Sequence, residues 1–567
     1  MPNNNSKKKI LIVTAFPTHG AGSGALITTQ AKSYIEDGHE VTIITGNNRT
    51  DFDKLDGVNY HVVPFTAETE KPEKIEGQCP FNYLMFTTHT ESTANFWNVN
   101  LEQVEQYMQA FENAINEEVK KFNPDIIHTQ HNWLSSSLAT KTGKPIALTI
   151  HGTDLMGYKK ADEKLDEVLA KIEEIRKDAD QKTLDNLEVI EQIYKKYTSK
   201  KQILLDLKKA MDDKKLTITK AELEVLVELF DKKTIYELYK YHAENSAKKS
   251  EQIIVISDDQ KNEFNKLFAG NEEKVVLLEN GYDPKTFYVD NSVKREDVLP
   301  EDKQNYDNLV LFVGKFADFK GIDALLDSAK IYEADAKSKG KVTQTIIVGS
   351  GALDEKLRKQ AQELGLEHTH FVGRKGHAEI CKLQNLADVS LIPSRNEPFG
   401  LVVIEGTSCG HPVIATNSGG IPGILNTEKE DLSDKTMSYK TKLGVLVPPL
   451  PERPQSLSDE EKDELDILTT KYVKANDDEK ASINEQTAKS LKLDESVVED
   501  YNNKFELTVN GISDAVISIT EGKTTFNNQE IADYTRQNYG QDVIREKILN
   551  IFDTAISNSK NKQANLR

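Results

Sequence analysis

Arg395-Asn396-Glu397-Pro398-Phe399-Gly400-Leu401-Val402-Val403-Ile404-Glu405 is the stretch on which the reading of this 567-residue chain turns. It follows a short apolar run, Val389 to Ile392, of strand character, and from Leu401 it reads as a helix opening behind a Pro-Phe-Gly turn. A helix that opens at a strand end leaves backbone N–H groups unpaired, which suits an anion or a dense set of hydroxyls. Glu397 lies at the turn, where its carboxylate can accept hydrogen bonds from sugar hydroxyls. Glu405, with seven residues between the two, lies two turns into the helix and can chelate the two hydroxyls of a ribose. A pair of solvated helix glutamates would look the same, so the surrounding sequence has to decide.

Outward from this stretch the chain alternates strands and helices. Leu309 to Val313, Thr345 to Val348, Thr369 to Val372, Val413 to Ala415 and Val445 to Val447 are apolar runs of strand length, with helical segments between them. The N-terminal part has the same rhythm. Ile10 to Ala15 is a strand, Phe16 to Gly24 a loop carrying Gly20, Gly22 and Gly24, Ala25 to Glu36 a helix and Val41 to Thr45 a second strand. Asp125 to His128, Ile146 to Ile150 and Ile253 to Ser257 continue the strands. Runs this apolar suit parallel sheets covered on both faces, so the predicted fold is α/β with two facing Rossmann-like, doubly wound domains. Ligands of such sheets sit at the carboxyl ends of the strands, which for facing halves predicts the cleft between them.

Glu397 to Glu405 is followed at once by Gly410-His411-Pro412-Val413-Ile414-Ala415 and the Gly419-Gly420 turn. The series resembles the retaining glycosyltransferases of the GT-B fold, family 4 (glycosyl transferases group 1), whose pattern is E-x-F-G-L-x-x-x-E, then G-x-P-V-I-A, then a Gly-Gly turn. The resemblance covers roughly residues 8–154, 250–424 and the final helix, and it implies roles residue by residue. Pro398, Phe399, Gly400 and Leu401, with Glu405, would bind the donor, while Glu397 positions its sugar. Lys315 and Lys320 would clamp a diphosphate; the family usually has arginine at the first of these, so Lys315 keeps the charge and loses the bidentate fork. Gly349 and Gly351 form the glycine turn after a strand, and Arg374 lies beside the nucleobase. In the first half, His151, in His151-Gly152-Thr153-Asp154, would lie near the donor sugar through its imidazole or backbone carbonyl. Asp154 would orient His151 or bind the acceptor. Gly22 and Gly24 let the backbone approach phosphate and acceptor, where a side chain would intrude. Asn280-Gly281-Tyr282-Asp283 and Gly444 to Pro449 match further landmarks of the family.

Two charged segments interrupt the alternation. Residues 159–249 contain neither glycine nor proline, and Leu165, Val168, Leu169, Ile172 and Ile175 recur at helical spacing. They predict an inserted α-helical hairpin or small bundle. Residues near 451–504 form a second charged insertion, opening at a cap of Ser458 and Glu461. The predicted division is 1–158 with 250–290 as an acceptor-side domain, 291–526 as the nucleotide-sugar domain, and 527–567 as a C-terminal helix returning to the first domain.

The formal net charge of −20 argues against nucleic acid as a partner. Three scattered cysteines show no metal spacing or disulfide framework, and no apolar window reaches the length of a membrane span, which together predict a cytoplasmic protein. The expected chemistry is transfer of a hexose from a nucleotide-diphosphate sugar, a UDP-sugar first, with retention of configuration. The acceptor is unidentified: a glycan, lipid-linked sugar, small molecule or protein. No cofactor is expected, and no metal, since the lysines supply positive charge and no Asp-x-Asp cluster is present. Two alternatives stay open: a nucleotide-sugar epimerase on the same fold, and a scaffold acting through the helical insertion. Lysines between Lys195 and Lys215 leave room for a peripheral membrane or protein contact, although Asp206, Asp212 and Asp213 dilute them. Oligomerisation is left open.

Overall fold

The computed structural model describes residues 7–18, 22–49, 51–67, 78–86, 92–197 and 199–565. The chain forms two compact units. One comprises residues 1–256, 261–278 and 545–567, the other residues 257–260 and 279–544. Among the described residues no helix is long and apolar enough to cross a membrane.

The first unit is built on strands β1 (Lys9–Thr14), β2 (Glu40–Asn47), β3 (Val58–Pro64), β4 (Ile126–Gln130), β5 (Ile146–Thr149), β6 (Gln252–Val255) and β7 (Val275–Leu277). They pair in the order β3-β2-β1-β4-β5-β6-β7, all parallel. Helices α1 (Gly22–Glu36), α2 (Leu101–Phe122) and α3 (Leu134–Ala139) connect the earlier strands. Ile10 to Val13 on β1 are fully buried, as expected for a strand covered on both faces. The strand order reverses between β1 and β4, the place where sheets of this kind bind ligands.

The helical insertion is four helices: α4 (Gly152–Asp178), α5 (Gln181–Lys196), α6 (Lys200–Asp212) and α7 (Lys220–Lys249). Its first helix starts directly behind β5, so His151 and Asp154 sit at the root of the insertion. Val168, Ile172, Leu187, Ile190, Leu226 and Phe230 are buried and belong to the same apolar cluster as the sheet. Short α8 (Asp258–Leu267) then leads to β7.

The second unit carries β8 (Asn308–Val313), β9 (Thr343–Val348), β10 (Thr369–Gly373), β11 (Val389–Ile392), β12 (Val413–Thr416), β13 (Tyr439–Lys440) and β14 (Gly444–Val447). Their order is β10-β9-β8-β11-β12-β14-β13, parallel except for β13. Helices α9 (Ile322–Ser338), α10 (Asp354–Leu364), α11 (His377–Leu386), α12 (Leu401–Ser408) and α13 (Ile421–Leu425) connect the strands. The second charged segment folds as α14 (Asp459–Lys474), α15 (Asp477–Leu491) and the start of α16 (Glu495–Thr520). The Ser458–Glu461 capping box opens α14, and α16 lies along α9, where Ser328 Oγ donates to Val509 O at 3.2 Å. Helices α17 (Asn528–Tyr539) and α18 (Gln541–Asn565) end the chain.

Three boundaries differ from the sequence expectation. The first unit ends at 278 rather than 290, because β7 closes its sheet and Tyr282 then pairs with Gly540 inside the second unit. The return of the C-terminus begins at 545 rather than 527. From there α18 packs into the first unit, with the Phe552 ring 5.1 Å from that of His128 and Lys8 paired with Asp553 at 3.0 Å. Helix α1 begins at Gly22 rather than Ala25, so Gly22 and Gly24 lie in its first turn instead of a loop. Burial of Leu26, Ile27, Ala31 and Tyr34 holds this helix on the sheet despite the low helix propensity of glycine. Gly20 lies outside the described residues.

Candidate functional site

In the second unit the strand order reverses between β8 and β11, and the sequence-predicted donor residues gather at the carboxyl ends of these two strands. Lys315 and Lys320 follow β8, and Glu397 to Leu401 follow β11. Lys320 Nζ donates to Glu397 Oε2; both side chains are more than four-fifths buried. The Phe319 ring stands 5.2 Å from the same ammonium. Lys315 is exposed at the mouth of the loop. The two loops are tied together by backbone, Arg395 N donating to Phe319 O at 2.8 Å.

Glu397 is held from the other side by the Gly419-Gly420 turn. Gly420 N donates to Glu397 O at 2.7 Å, and a Cβ on Gly419 would stand 2.3 Å from that same oxygen. Gly400, at φ 104°, provides the left-handed residue from which α12 starts, which explains a glycine between Phe399 and Leu401. Phe399 is buried against Tyr539, at 6.4 Å between ring centroids. One turn into α12, rather than the two turns expected from the sequence, half-buried Glu405 has no hydrogen-bond donor among the described residues. Burial pushes its carboxyl up to about 7, with the charge of Lys320 pulling the other way. Gly349 and Gly351 pass over the β8 loop at close range, and Arg374 is exposed one residue beyond β10.

Beneath the loop lies a charge network the sequence did not reveal. Buried Arg395 reaches Asp323 with both terminal nitrogens, at 2.9 and 2.5 Å, and also donates to Asp318 O at 2.9 Å. Arg453, from the second charged segment, donates to Asp323 at 3.2 Å and to Asp466 at 2.8 Å, and contacts Asp318. The Arg395 and Arg453 guanidinium groups hold the Asp323 carboxyl well below the usual carboxylate range, against the opposing pull of burial. The 451–504 segment is thereby fastened to the floor of the Glu397 loop. Arg395→Met would leave Asp323 with Arg453 alone. We expect it to destabilise the second unit by about 2 kcal/mol, below the full cost of an unpaired buried charge, as read by urea unfolding.

The first unit presents a second cluster at the ends of β4 and β5. His151 Nε2 is hydrogen bonded to Gln130 Oε1 at 2.8 Å, and Gln130 reaches His128 in turn. Burial drives the His151 imidazole down to about 3, with the neighbouring His131 ring adding to the effect, so it is neutral at working pH. Asp154 is buried and fully engaged. Its Oδ1 meets His131 Nδ1 at 2.6 Å, and its Oδ2 accepts from the backbone N–H of His151 at 2.8 Å and of Asn132 at 3.0 Å. Asp154 was expected to orient His151 or to bind the acceptor; in the structure its carboxylate meets the ring of His131 and the backbone N–H, not the ring, of His151. The group that sequence reasoning missed is His131. No residue spacing signals it, because its partner Asp154 arrives from a different strand end.

Both halves of the chain match known families. The family model described as Glycosyl transferases group 1 matches residues 293–436, and that described as Glycosyltransferase Family 4 matches residues 20–181. The chain belongs to the family 4 glycosyltransferases of the GT-B fold. It is 28% identical over 184 residues to an uncharacterized glycosyltransferase of Methanocaldococcus jannaschii, covering 31% of this chain and 49% of the relative. It is 30% identical over 210 residues to a D-inositol 3-phosphate glycosyltransferase of Jonesia denitrificans, covering 36% and 49%. The chain thus spans about half the length of these curated relatives. A sucrose-phosphate synthase from Thermosynechococcus elongatus has the same fold, with a TM-score of 0.54 at 15% identity over 97% of this chain and 100% of that one.

The two family matches fall one in each unit, and the matched parts leave out residues 182–249 and 451–504. Among the described residues, the His/Cys/Asp/Glu group close enough to share one ion is His61, Glu117 and Glu118, on β3 and α2. It is not part of the constellation above.

Proposed function

We propose that this glycosyltransferase moves a hexose from a nucleotide-diphosphate sugar, a UDP-sugar first, to a hydroxyl acceptor with retention of configuration. The observation that carries the reading is the Lys320–Glu397 pair beside the unpartnered carboxylate of Glu405. These are a cation for diphosphate, an acceptor for sugar hydroxyls and a chelator for ribose, on the segments that follow two neighbouring strands of one sheet. In this reading the bond between the anomeric carbon and the phosphate oxygen breaks, and its electron pair leaves with the diphosphate. Lys320, with Lys315, stabilises that charge electrostatically, so the step needs no metal ion. The acceptor oxygen attacks from the face the leaving group vacates, and its proton passes to the departing phosphate. Glu397 positions the donor and is not a nucleophile: its carboxylate is spoken for by Lys320. The first unit serves the acceptor.

The reading is tested by a thermal-shift and calorimetric screen against UDP, GDP, ADP, dTDP and their sugars, with and without chelator. One diphosphate should stabilise the protein, undiminished by chelator, and the shift should vanish in Glu405→Ala. No shift with any nucleotide would sink the donor assignment. Product analysis separates transfer from epimerisation, since only transfer releases the free diphosphate.

The raised Glu405 titration adds a pH signature. Two ribose hydroxyls donate to the charged carboxylate, so binding favours the ionised form, which the free protein populates only as pH rises through about 7. Affinity for the nucleoside diphosphate should climb roughly tenfold between pH 6 and pH 8. Titration of the ligand phosphate contributes equally in Glu405→Gln, so the difference between the two proteins isolates the residue. A wild-type profile parallel to that of Glu405→Gln would remove Glu405 from the ribose.

A further inference from the structure

The fold brings together two of the three cysteines that lie scattered along the sequence. Cys381 lies on α11 and Cys409 caps the C-terminal end of α12, and their Sγ atoms stand 4.0 Å apart across a separation of 28 residues. Both are buried and both are free thiols. A buried cysteine commonly serves as a small apolar filler. The Cys381 sulfur instead meets polar groups: it contacts Tyr288 O at 3.9 Å, and Asn385 Nδ2 donates to it at 3.5 Å. Asn385 also fixes the chain segment against the sulfur, donating to Tyr288 O at 2.9 Å and accepting from Asp290 N at 2.6 Å. The side chains of that segment face solvent, Tyr288 to 49% and Val289 to 36%, so the pair lies close beneath the surface.

The two sulfurs are not equivalent. The Cys409 S–H donates toward Cys381, which brings the Cys381 thiol down to about 7 against the opposing pull of burial, and the same contact drives the Cys409 thiol up. Cys381 is therefore the nucleophile of the pair and Cys409 the resolving thiol. The third cysteine supplies the contrast. Cys79 lies in the first unit with its sulfur against Gln106 O, and burial pushes its thiol up to about 12. A bond between Cys381 and Cys409 would act on α12. That helix is eight residues long, and Glu405 lies one turn before Cys409, held at the same end by Ser408 Oγ donating to Glu405 O at 2.7 Å. Closing the gap to bonding distance takes about 2 Å of approach, shared between side-chain rotation and a slide of α12 against α11.

We propose that Cys381 and Cys409 form a modification site for hydroperoxides, at which oxidation joins α11 to α12 through a reversible disulfide. The Cys381 thiolate attacks one peroxide oxygen, the O–O bond breaks and hydroxide leaves, so the sulfur becomes a sulfenic acid. The Cys409 sulfur then attacks the Cys381 sulfur, and the sulfenic hydroxyl leaves as water with the Cys409 proton. Two thiols and one hydrogen peroxide thus give one disulfide and two waters, the second formed from the hydroxide and the proton that Cys381 gave up. The consequence for the nucleotide rests on the donor reading above: the bond displaces Glu405 and weakens its hold on the ribose.

The test treats the full chain with hydrogen peroxide and maps its cysteines by mass spectrometry without reductant. The expected product is a peptide pair joined through Cys381 and Cys409, lighter by two hydrogen atoms and separated again by dithiothreitol, with Cys79 still a free thiol. Cys409→Ser should stop at the sulfenic acid of Cys381, trapped by dimedone, and Cys381→Ser should give no sulfenic acid at Cys409. The mapping of the wild-type chain needs no variant, so it stands even if a substitution prevents folding. Free thiols at both positions after prolonged exposure, or a bond made by Cys79 or between two molecules, would overturn the proposal. The UDP affinity of the same samples reads the consequence. Oxidation should weaken it about tenfold, an effect reversed by dithiothreitol and absent in Cys409→Ser. An affinity within about twofold of the reduced protein, with the bond formed, would overturn the link to Glu405. Protein that forms the bond yet fails to bind UDP when reduced would count against the donor reading alone and leave the modification site standing.

Discussion

Lys320→Met is expected to lower turnover of the nucleotide-sugar about 1000-fold, the upper range for removing one preorganised charge from a developing oxyanion. The cation is more than four-fifths buried, so its field at the diphosphate is only weakly screened by water. Its removal also frees the Glu397 carboxylate with which it is paired, leaving an uncompensated negative charge where the leaving group must acquire one. Lys315→Met, at an exposed position, is expected to cost about tenfold at most, because solvent already screens that charge. Rates with UDP-glucose, read beside UDP affinity, separate the two. A Lys320→Met enzyme within tenfold of wild type would show that the diphosphate charge is stabilised elsewhere. Restoration by Lys320→Arg would show that charge, not shape, is the requirement.

Gly349→Ala is expected to destabilise the second unit by about 4 kcal/mol, at the severe end for single substitutions. A Cβ at this position would stand 1.8 Å from Gly314 O and 3.0 Å from Gly314 C, backbone atoms that cannot rotate away, and the residue sits at φ 146°. Either the β8 loop that carries Lys315 moves or the strand end does. The same substitution at Gly340, at φ 71° with nothing within 4 Å of the added carbon, provides the control. It meets only the left-handed backbone penalty, about 1 kcal/mol. Urea unfolding of the two variants measures the difference. Equal losses would mean that the β8 loop yields to the extra atom at no cost.

These predictions exploit features of unequal visibility. The parallel strands were legible where they are apolar end to end, as in Ile10 to Val13 and Leu309 to Val313, because a strand buried on both faces writes its burial into every residue. β3 went unread because Asn59 is exposed and most of its other residues are only half-buried, and β7 because three residues are too few to carry a period. The residues proposed to bind the donor stand out in the sequence because the turn after β11 gathers Glu397 to Glu405 into one continuous stretch. Gly22 and Gly24 were misassigned to a loop because the packing of α1 on the sheet outweighs their local preference.

By itself the sequence determined the fold class, the two α/β units, the helical insertion and the contiguous Glu397–Glu405 motif. Each of these is encoded by residues near one another along the chain, through period, turn chemistry and charge. Tertiary structure alone decided the pairings. Lys320 meets Glu397 across 77 residues, His131 meets Asp154 across 23, and Arg453 meets Asp318 across 135. Which carboxylate is spent inside the protein and which imidazole nitrogen stays free depends on side chains converging from separate strand ends. No periodicity along the chain records that convergence, because it is fixed by the order in which the strands pair.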